Sequence, residues 1–355
     1  MKALILVGGV GSRLRPITHT QAKQLVPVAN RTVLSYVLDS IKEAGISEVG
    51  IVVGATAAEI QASVGDGAEF GLDVTYIQQD APRGLADAVL VSRDFLGDDD
   101  FVMYLGDNYV VDGIVDFVAD FRRDKPAAQV MLARVADPRR FGVAELDENG
   151  RVTAVVEKPQ DPRSDLAIVG VYAFSSAVHE AVAGIRPSWR NELEITDALQ
   201  WLADHGHEVG STVIDRYWKD VASVTDVLEM NRHLLESLET RIDGEVDEAS
   251  ELVGRVVVEA GAKISGSRIV GPAVIGPDTV VQDSYLGPFT SIEGNCRVAH
   301  SEIQYSIVLR GASIEGVARV EDSVIGRETE VNAAPRTSTA HRLVLGDHSR
   351  VQVGG

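Results

Sequence analysis

Aliphatic residues recur every six positions through the last third of this chain. Val258, Ile264 and Val270 begin the series, Val274, Val280, Leu286, Ile292 and Val298 continue it, and Val308, Ile314 and Val320 close it. Small turn residues stand between them at Gly271-Pro272, Gly276-Pro277 and Gly287-Pro288. A six-residue period punctuated in this way predicts a hexapeptide β-helix, in which each coil stacks its aliphatic residue on the next. The jumps between the three runs read as loops or register shifts. A β-sandwich of short strands is the competing reading.

The first 240 residues have a different rhythm. Lys2–Val7 reads as a buried strand, and 32–44 places Leu34, Val37, Leu38 and Ile41 at helical spacing before Gly45. A strand over 48–54, a helix near 57–64, a strand over 74–78, a helix over 84–95 and a strand over 100–105 follow. Strands alternating with helices predict a Rossmann-like α/β fold, with a mixed, mostly parallel sheet covered on both faces. Such sheets bind ligands at the carboxyl ends of their strands. The expected domains are therefore 1–240, an α/β domain, and 241–355, a β-helix. The helix over 223–238 and the acidic stretch 243–251 are the expected junction.

Composition narrows the function. A net charge of −20 argues against a nucleic-acid backbone or an anionic membrane as partner. It leaves room for a small phosphorylated ligand, which responds to local charge because distant acids are screened beyond about 8 Å. No apolar run reaches the roughly 18 residues that would span a bilayer, and the apolar stretch after Lys2 is too short for a secretory signal. A cytoplasmic protein is expected. The single cysteine, Cys296, permits no internal disulfide and reads as a buried apolar side chain.

The first strand runs into Gly8-Gly9-Val10-Gly11-Ser12-Arg13-Leu14. Glycines let the backbone approach a phosphate closely, the loop amides can donate to it, and arginine offers a fixed fork of donors. The loop predicts a nucleotide site. It is neither a dinucleotide fingerprint nor a Walker loop, since Leu14 stands where the former needs glycine and Ser12-Arg13 follows Gly11 where the latter needs Lys-Ser/Thr.

Further on, Asp107 in Gly106-Asp107-Asn108 and Asp220 in Trp218-Lys219-Asp220 each follow a candidate strand. Two hard oxygen ligands beside phosphates would suit Mg²⁺; either could equally be a solvated turn residue. Glu157-Lys158-Pro159 ends the strand over 152–156, where a carboxylate can accept from sugar hydroxyls and a lysine can reach a phosphate; by itself the tripeptide reads as an exposed ion pair at a turn. The run Arg190-Asn191-Glu192-Leu193-Glu194 precedes a helix over 198–205; its acids suit a helix start, and Arg190 is its more functional-looking member.

Together these residues make the chain similar to the sugar-1-phosphate nucleotidylyltransferase family, and within it to the long glucose-1-phosphate thymidylyltransferases of deoxysugar and antibiotic pathways. The motifs that carry the resemblance are Gly8–Leu14, Ala22-Lys23-Gln24-Leu25-Val26-Pro27 and the stretch Gln79 to Ala86. The resemblance spans nearly the whole chain and implies a left-handed β-helical tail. It further implies that Leu6, Gly8, Gly9, Gly11, Ser12, Arg13, Gln79, Gly84 and Asp107 bind the nucleotide, with Gln79 and Gly84 reading the base. Gly142, Glu157, Lys158, Val169 and Arg190 would hold the sugar phosphate, Asp107 and Asp220 would hold Mg²⁺, and Arg13, Lys23, Asp107 and Lys158 would act in catalysis. The implied reaction joins a nucleoside triphosphate, dTTP, to glucose 1-phosphate and releases pyrophosphate; UTP or another nucleotide, and a different sugar 1-phosphate, are the alternatives. A homo-oligomer is expected.

A sugar 1-phosphate is already largely dianionic, its second pKa being about 6, so it needs no general base. The absence of all eight histidines from the motifs agrees with that. Charge repulsion is the obstacle. At about 4 Å two unit charges repel by about 4 kcal/mol at an effective dielectric near 20, and clustered cations would offset it. The expected chemistry is in-line attack at the α-phosphorus without a covalent enzyme intermediate. The chain departs from the family in Val221-Ala222, where Thr-Gly is usual, and in Asn191, where glycine is usual. Those departures leave a non-catalytic subunit as one alternative. A bifunctional acyltransferase using His300 or His341 is another.

Overall fold

A computed structural model describes residues 1–9, 11–19 and 21–333, with nothing described of the Ser12 side chain. The chain divides into two compact units: 1–10, 21–25 and 33–220 form the first; 11–20, 26–32 and 221 onward form the second.

The first unit is built on a nine-stranded mixed sheet. Lys2–Leu6 lies between Glu48–Val53 and Phe101–Leu105, parallel to both, and Asp73–Gln78 continues the parallel run beyond Glu48–Val53. On the other side, the nine-residue strand Leu166–Phe174 joins Phe101–Leu105 in antiparallel register and recruits Ala128–Arg134 and Gly142–Leu146. Val152–Glu157 and Val209–Ile214 complete the sheet.

Strand periodicity decides what lies on each face. Ala3, Ile5 and Val7 point into a core with Leu34, Val37, Leu38 and Ile41 of helix Val33–Glu43, Ile60 of helix Ala57–Val64 and Phe121 of helix Val115–Asp124. Leu4 and Leu6 point the other way, onto Val89 of helix Leu85–Val91, Ala181 of helix Val178–Gly184 and Leu199 of helix Ile195–Asp204. The helix expected over 84–95 breaks at Ser92 into Leu85–Val91 and Arg93–Leu96. Helix Ile195–Asp204 starts three residues earlier than its expected 198.

The second unit holds three parallel sheets of six, six and five short strands, the arrangement of a left-handed parallel β-helix. Most coils are 17 residues long: Val256 pairs with Ala273 and Ala273 with Thr290, while Lys263 pairs with Val280 and Val280 with Arg297. Others differ by one, as from Glu245 to Lys263 or from Arg297 to Ser313. A strict six-residue count gains a residue on each 17-residue coil and drifts off the inner line. Eight of the eleven sequence-assigned positions, beginning with Val258 and Ile264, do line the core. The other three are corrected: Ile269, Ile275 and Val281 occupy the core where Val270, Val274 and Val280 were expected. Val274 instead packs with Leu235 and Val257 on the outside of the coil. Positive-φ residues stacked at Asp278, Asn295 and Glu328, and at Asp283 and His300, turn the corners.

The acidic stretch 243–251 is a second correction. It is already the first coil, with strands Arg241–Ile242, Glu245–Val246 and Glu251–Val253 paired to the next. Helix Val224–Glu236, capped by Ser223, belongs to this unit. Its Asn231, 1% exposed, accepts from Ala29 N at 2.9 Å and Ser291 Oγ at 2.6 Å and donates to Phe289 O at 3.1 Å. His300 is exposed, with Nδ1 3.8 Å from Asp283; His341 lies outside the described residues.

Candidate active site

The four parallel strands of the first unit end at a common level, because Leu6 is in register with Val52 and Leu105, and Val53 with Gln78. Each then releases a short loop: Gly8-Gly9, Gly54, Gln79 and Gly106-Asp107. A cleft of about 250 Å³ opens there. Its lining includes Leu6, Gly8, Gly9, Lys23, Gln79, Gly84 and Asp107, seven of the residues assigned to the nucleotide or to catalysis. Gly11, Ser12 and Arg13 group with the second unit. There Gly11 has φ 62°, Arg13 is exposed, and Thr18 Oγ1 and Leu14 N donate to Gly11 O.

Lys23 and Asp107 form an ion pair inside this cleft, both largely buried. The lysine stem lies over Gly9, where a Cβ would stand 3.0 Å from Lys23 Cε, so a side chain at 9 would push the lysine aside. Asp107 Oδ1 accepts from Asn108 Nδ2 at 3.1 Å, and Asn108 Oδ1 accepts from Trp218 Nε1 at 2.7 Å. Those bonds set the angle of the carboxylate. Strand Trp218–Asp220 pairs antiparallel with Asn108–Val110 and puts Asp220 opposite Asn108. Asp107, in the turn just before that strand, thus lies one residue from the partner of Asp220, and the hard oxygens of the two aspartates assigned to a metal suit a divalent cation.

Gln79, 9% exposed, donates through Nε2 to Gly84 O at 3.2 Å and to Asp87 Oδ2 at 2.8 Å. Gly84 has φ 105° and ψ 170°, a conformation open essentially to glycine alone. Leu193 N donates to Arg83 O at 2.7 Å, and Ala86 N to Leu193 O at 3.0 Å. The loop before helix Leu85–Val91 is thereby stitched to the segment 188–194.

That segment carries the second cluster. Arg190 reaches Glu157 Oε1 at 3.4 Å, Glu194 Oε1 at 3.3 Å and Glu192 Oε1 at 3.0 Å, while Lys158 Nζ lies 3.0 Å from Glu157 Oε1. Gly142 is the strand partner of Glu157. Burial raises the Glu194 carboxyl above its ordinary value; Ser188 opposes this by hydrogen bonding, Glu157 adds to it, and Arg190 opposes it. Asn191 has φ 61°, a backbone state that asparagine tolerates better than most residues. Val169 is buried in the core, so only its backbone is available to a ligand.

Glu192 and Gln24 also line the cleft and were not assigned from sequence. In the sequence Glu192 stands with the acids of a helix start, yet the helix begins at Ile195 and Glu192 lies in the loop before it. Its carboxylate holds Arg190, so it links the two clusters. Gln24 stood beside Lys23 in a motif already noted, and that adjacency was the available signal.

The nucleotidyl transferase family profile matches residues 2–237. The chain is 62% identical over 353 residues to a glucose-1-phosphate thymidylyltransferase of Streptomyces griseus, covering 99% of both chains. It is 57% identical over 354 residues to the Streptomyces antibioticus enzyme of that name, again covering 99% of both. A crystal structure from Bacillus anthracis, solved with sucrose and provisionally assigned as a glucose-1-phosphate thymidylyltransferase, superposes with a TM-score of 0.62 at 35% identity. It covers 68% of this chain and 97% of that one.

Proposed function

The chain belongs to the nucleotidyl transferase family, and from that premise we propose that it joins dTTP to glucose 1-phosphate, giving dTDP-glucose and pyrophosphate. The observation that carries the reading is the buried Lys23–Asp107 pair beside Gly8 and Gly9 at the strand carboxyl ends. A phosphate chain laid there meets loop amides and a lysine in a site partly shielded from water. Like charges therefore approach at a cost the protein offsets.

In this reading Gln79 turns its Oε1 to the base, Gly84 supplies backbone contact, and Lys23 neutralises the triphosphate. Glu157 accepts from sugar hydroxyls beside Gly142 and the Val169 backbone. Lys158 and Arg190 face the sugar phosphate. These two cations are held by Glu157, Glu192 and Glu194, so the cluster is net negative by one charge. Binding a dianion requires the cations to turn from these carboxylates to the phosphate. The phosphate oxygen of the sugar attacks the α-phosphorus as the bond to the pyrophosphate oxygen breaks, and no proton has to be removed.

The family generally uses a divalent metal. Asp107 and Asp220 fit Mg²⁺ by the chemistry of their oxygens, Asp107 lying one residue before the strand partner of Asp220. Bound there, Mg²⁺ would neutralise charge developing on the leaving pyrophosphate. We assign 1–240 to catalysis and 241–355 to the β-helix, in keeping with a family match that ends at 237. The flat sides of the coils suit self-association, and we read the protein as a cytoplasmic homo-oligomer; no helix among the described residues is long and apolar enough to cross a membrane.

The test is pyrophosphate release with Mg²⁺ across dTTP, UTP, CTP, ATP and GTP against glucose, galactose, mannose and N-acetylglucosamine 1-phosphates, with Asp107→Asn alongside. Turnover concentrated at dTTP with glucose 1-phosphate, and lost in a folded Asp107→Asn, is expected. Silence across the matrix from folded parent protein would sink the proposal.

A further inference from the structure

Asp87 has no place in the chemistry above, yet it is 7% exposed, charged and in contact with the side chain assigned to the base. It lies on helix Leu85–Val91, where a carboxylate without partners would be costly to bury. Its partners are Gln79 Nε2, 2.8 Å from Oδ2, and Arg83 Nε, 3.2 Å from Oδ1.

A glutamine amide has a donor end and an acceptor end, and it can present either to a ligand. At Gln79 the surroundings decide. Both groups beside Nε2, the Asp87 carboxylate and the Gly84 carbonyl, can only accept. The NH₂ must face them, and each takes one of its hydrogens. Oε1 is then left on the side of Gly8, 3.6 Å from where a Cβ on that glycine would stand, at the cleft wall.

We propose that Asp87 is a specificity-determining positioning residue, locking the Gln79 amide so that the cleft presents an acceptor and admits pyrimidines carrying an N3–H, thymine or uracil, over cytosine. The inference rests on the reading of Gln79 as the base-facing residue. Cytosine offers an acceptor at N3, so Oε1 would meet a lone pair and a desolvated pair of acceptors would be left unmatched. Arg83, half exposed at the mouth of the loop, holds the second oxygen of Asp87 and keeps the carboxylate turned inward.

The experiment compares kcat/KM for dTTP and dCTP, which share a sugar, in the parent, Asp87→Asn, Gln79→Ala and the double variant. Asparagine can offer its NH₂ to Gln79, which lets the glutamine amide turn over. The Gly84 bond remains, so the dCTP:dTTP ratio is expected to rise about tenfold, the worth of one ordinary hydrogen bond, rather than invert. In the Gln79→Ala background the same substitution should leave the ratio unchanged, because Asp87 acts through Gln79. An unchanged ratio in Asp87→Asn, with Gln79→Ala shifting it, overturns the role of Asp87 and leaves the base-reading glutamine standing. An unchanged ratio in both overturns the two together. An Asp87→Asn effect that persists without Gln79 also overturns the proposal. Should Asp87→Asn not fold, Asp87→Ser removes the obligate acceptor and carries the same comparison.

Discussion

Gly84→Ala perturbs one backbone position and should disturb both substrate sites. A Cβ at residue 84 would lie 2.3 Å from Leu193 O and 2.7 Å from Leu193 N, both backbone atoms with no rotamer to escape into. Alanine at φ 105° and ψ 170° carries strain of about 1–3 kcal/mol. Moving Leu193 strains or breaks its two backbone bonds, to Arg83 O and from Ala86 N, at about 0.5–1.5 kcal/mol each. The expected destabilisation is therefore about 2–6 kcal/mol, read as a lower urea midpoint. Because Leu193 lies between Glu192 and Glu194, the Arg190 cluster moves with it, and KM should rise for sugar phosphate as well as nucleotide. Gly97→Ala is the control: its φ is 57° but nothing lies within 4 Å of the new Cβ, so only conformational strain of about 1–2 kcal/mol applies. Equal effects of the two substitutions, or unchanged KM values in Gly84→Ala, would refute the clash with Leu193.

Asn231→Ala leaves Ala29 N, Phe289 O and Ser291 Oγ without their shared partner in a buried site, and should cost at least about 2 kcal/mol; a urea-measured loss below about 0.5 kcal/mol would contradict that. Glu194 supplies a pH test. Its folded-state pKa is raised, chiefly by burial, so its stabilisation is complete below the ordinary value of 4.5 and is lost as pH rises through the raised value. The permanently neutral Glu194→Gln should therefore gain stability relative to the parent as pH climbs through that window, and a stability difference independent of pH between about 4 and 7 would count against it.

Much of the site was legible because its signals are local. Glycines at 8 and 9, Lys23, and Asp107 just past a strand announce themselves by residue type and neighbouring pattern, and strand ends in a parallel sheet gather whatever follows them. Asp87 and Glu192 were invisible for the opposite reason. One looked like an ordinary helical acid and the other like part of a helix start; residue type alone does not say that the fold turns Gln79, eight positions back, or Arg190, two positions back, to meet them.

The β-helix draws the same line. Six-residue recurrence is written in the chain, since each side of a coil needs an inward aliphatic residue, and it determined the architecture. The 17-residue coil belongs to the tertiary structure. Stacked strands must keep hydrogen-bond register with the coil beneath, and left-handed corners at residues such as Asp278 and Asn295 let the chain turn where that register demands. Which of two adjacent aliphatics faces inward, Ile269 rather than Val270 or Val281 rather than Val280, follows from that pairing, because a one-residue slip carries a side chain to the other face.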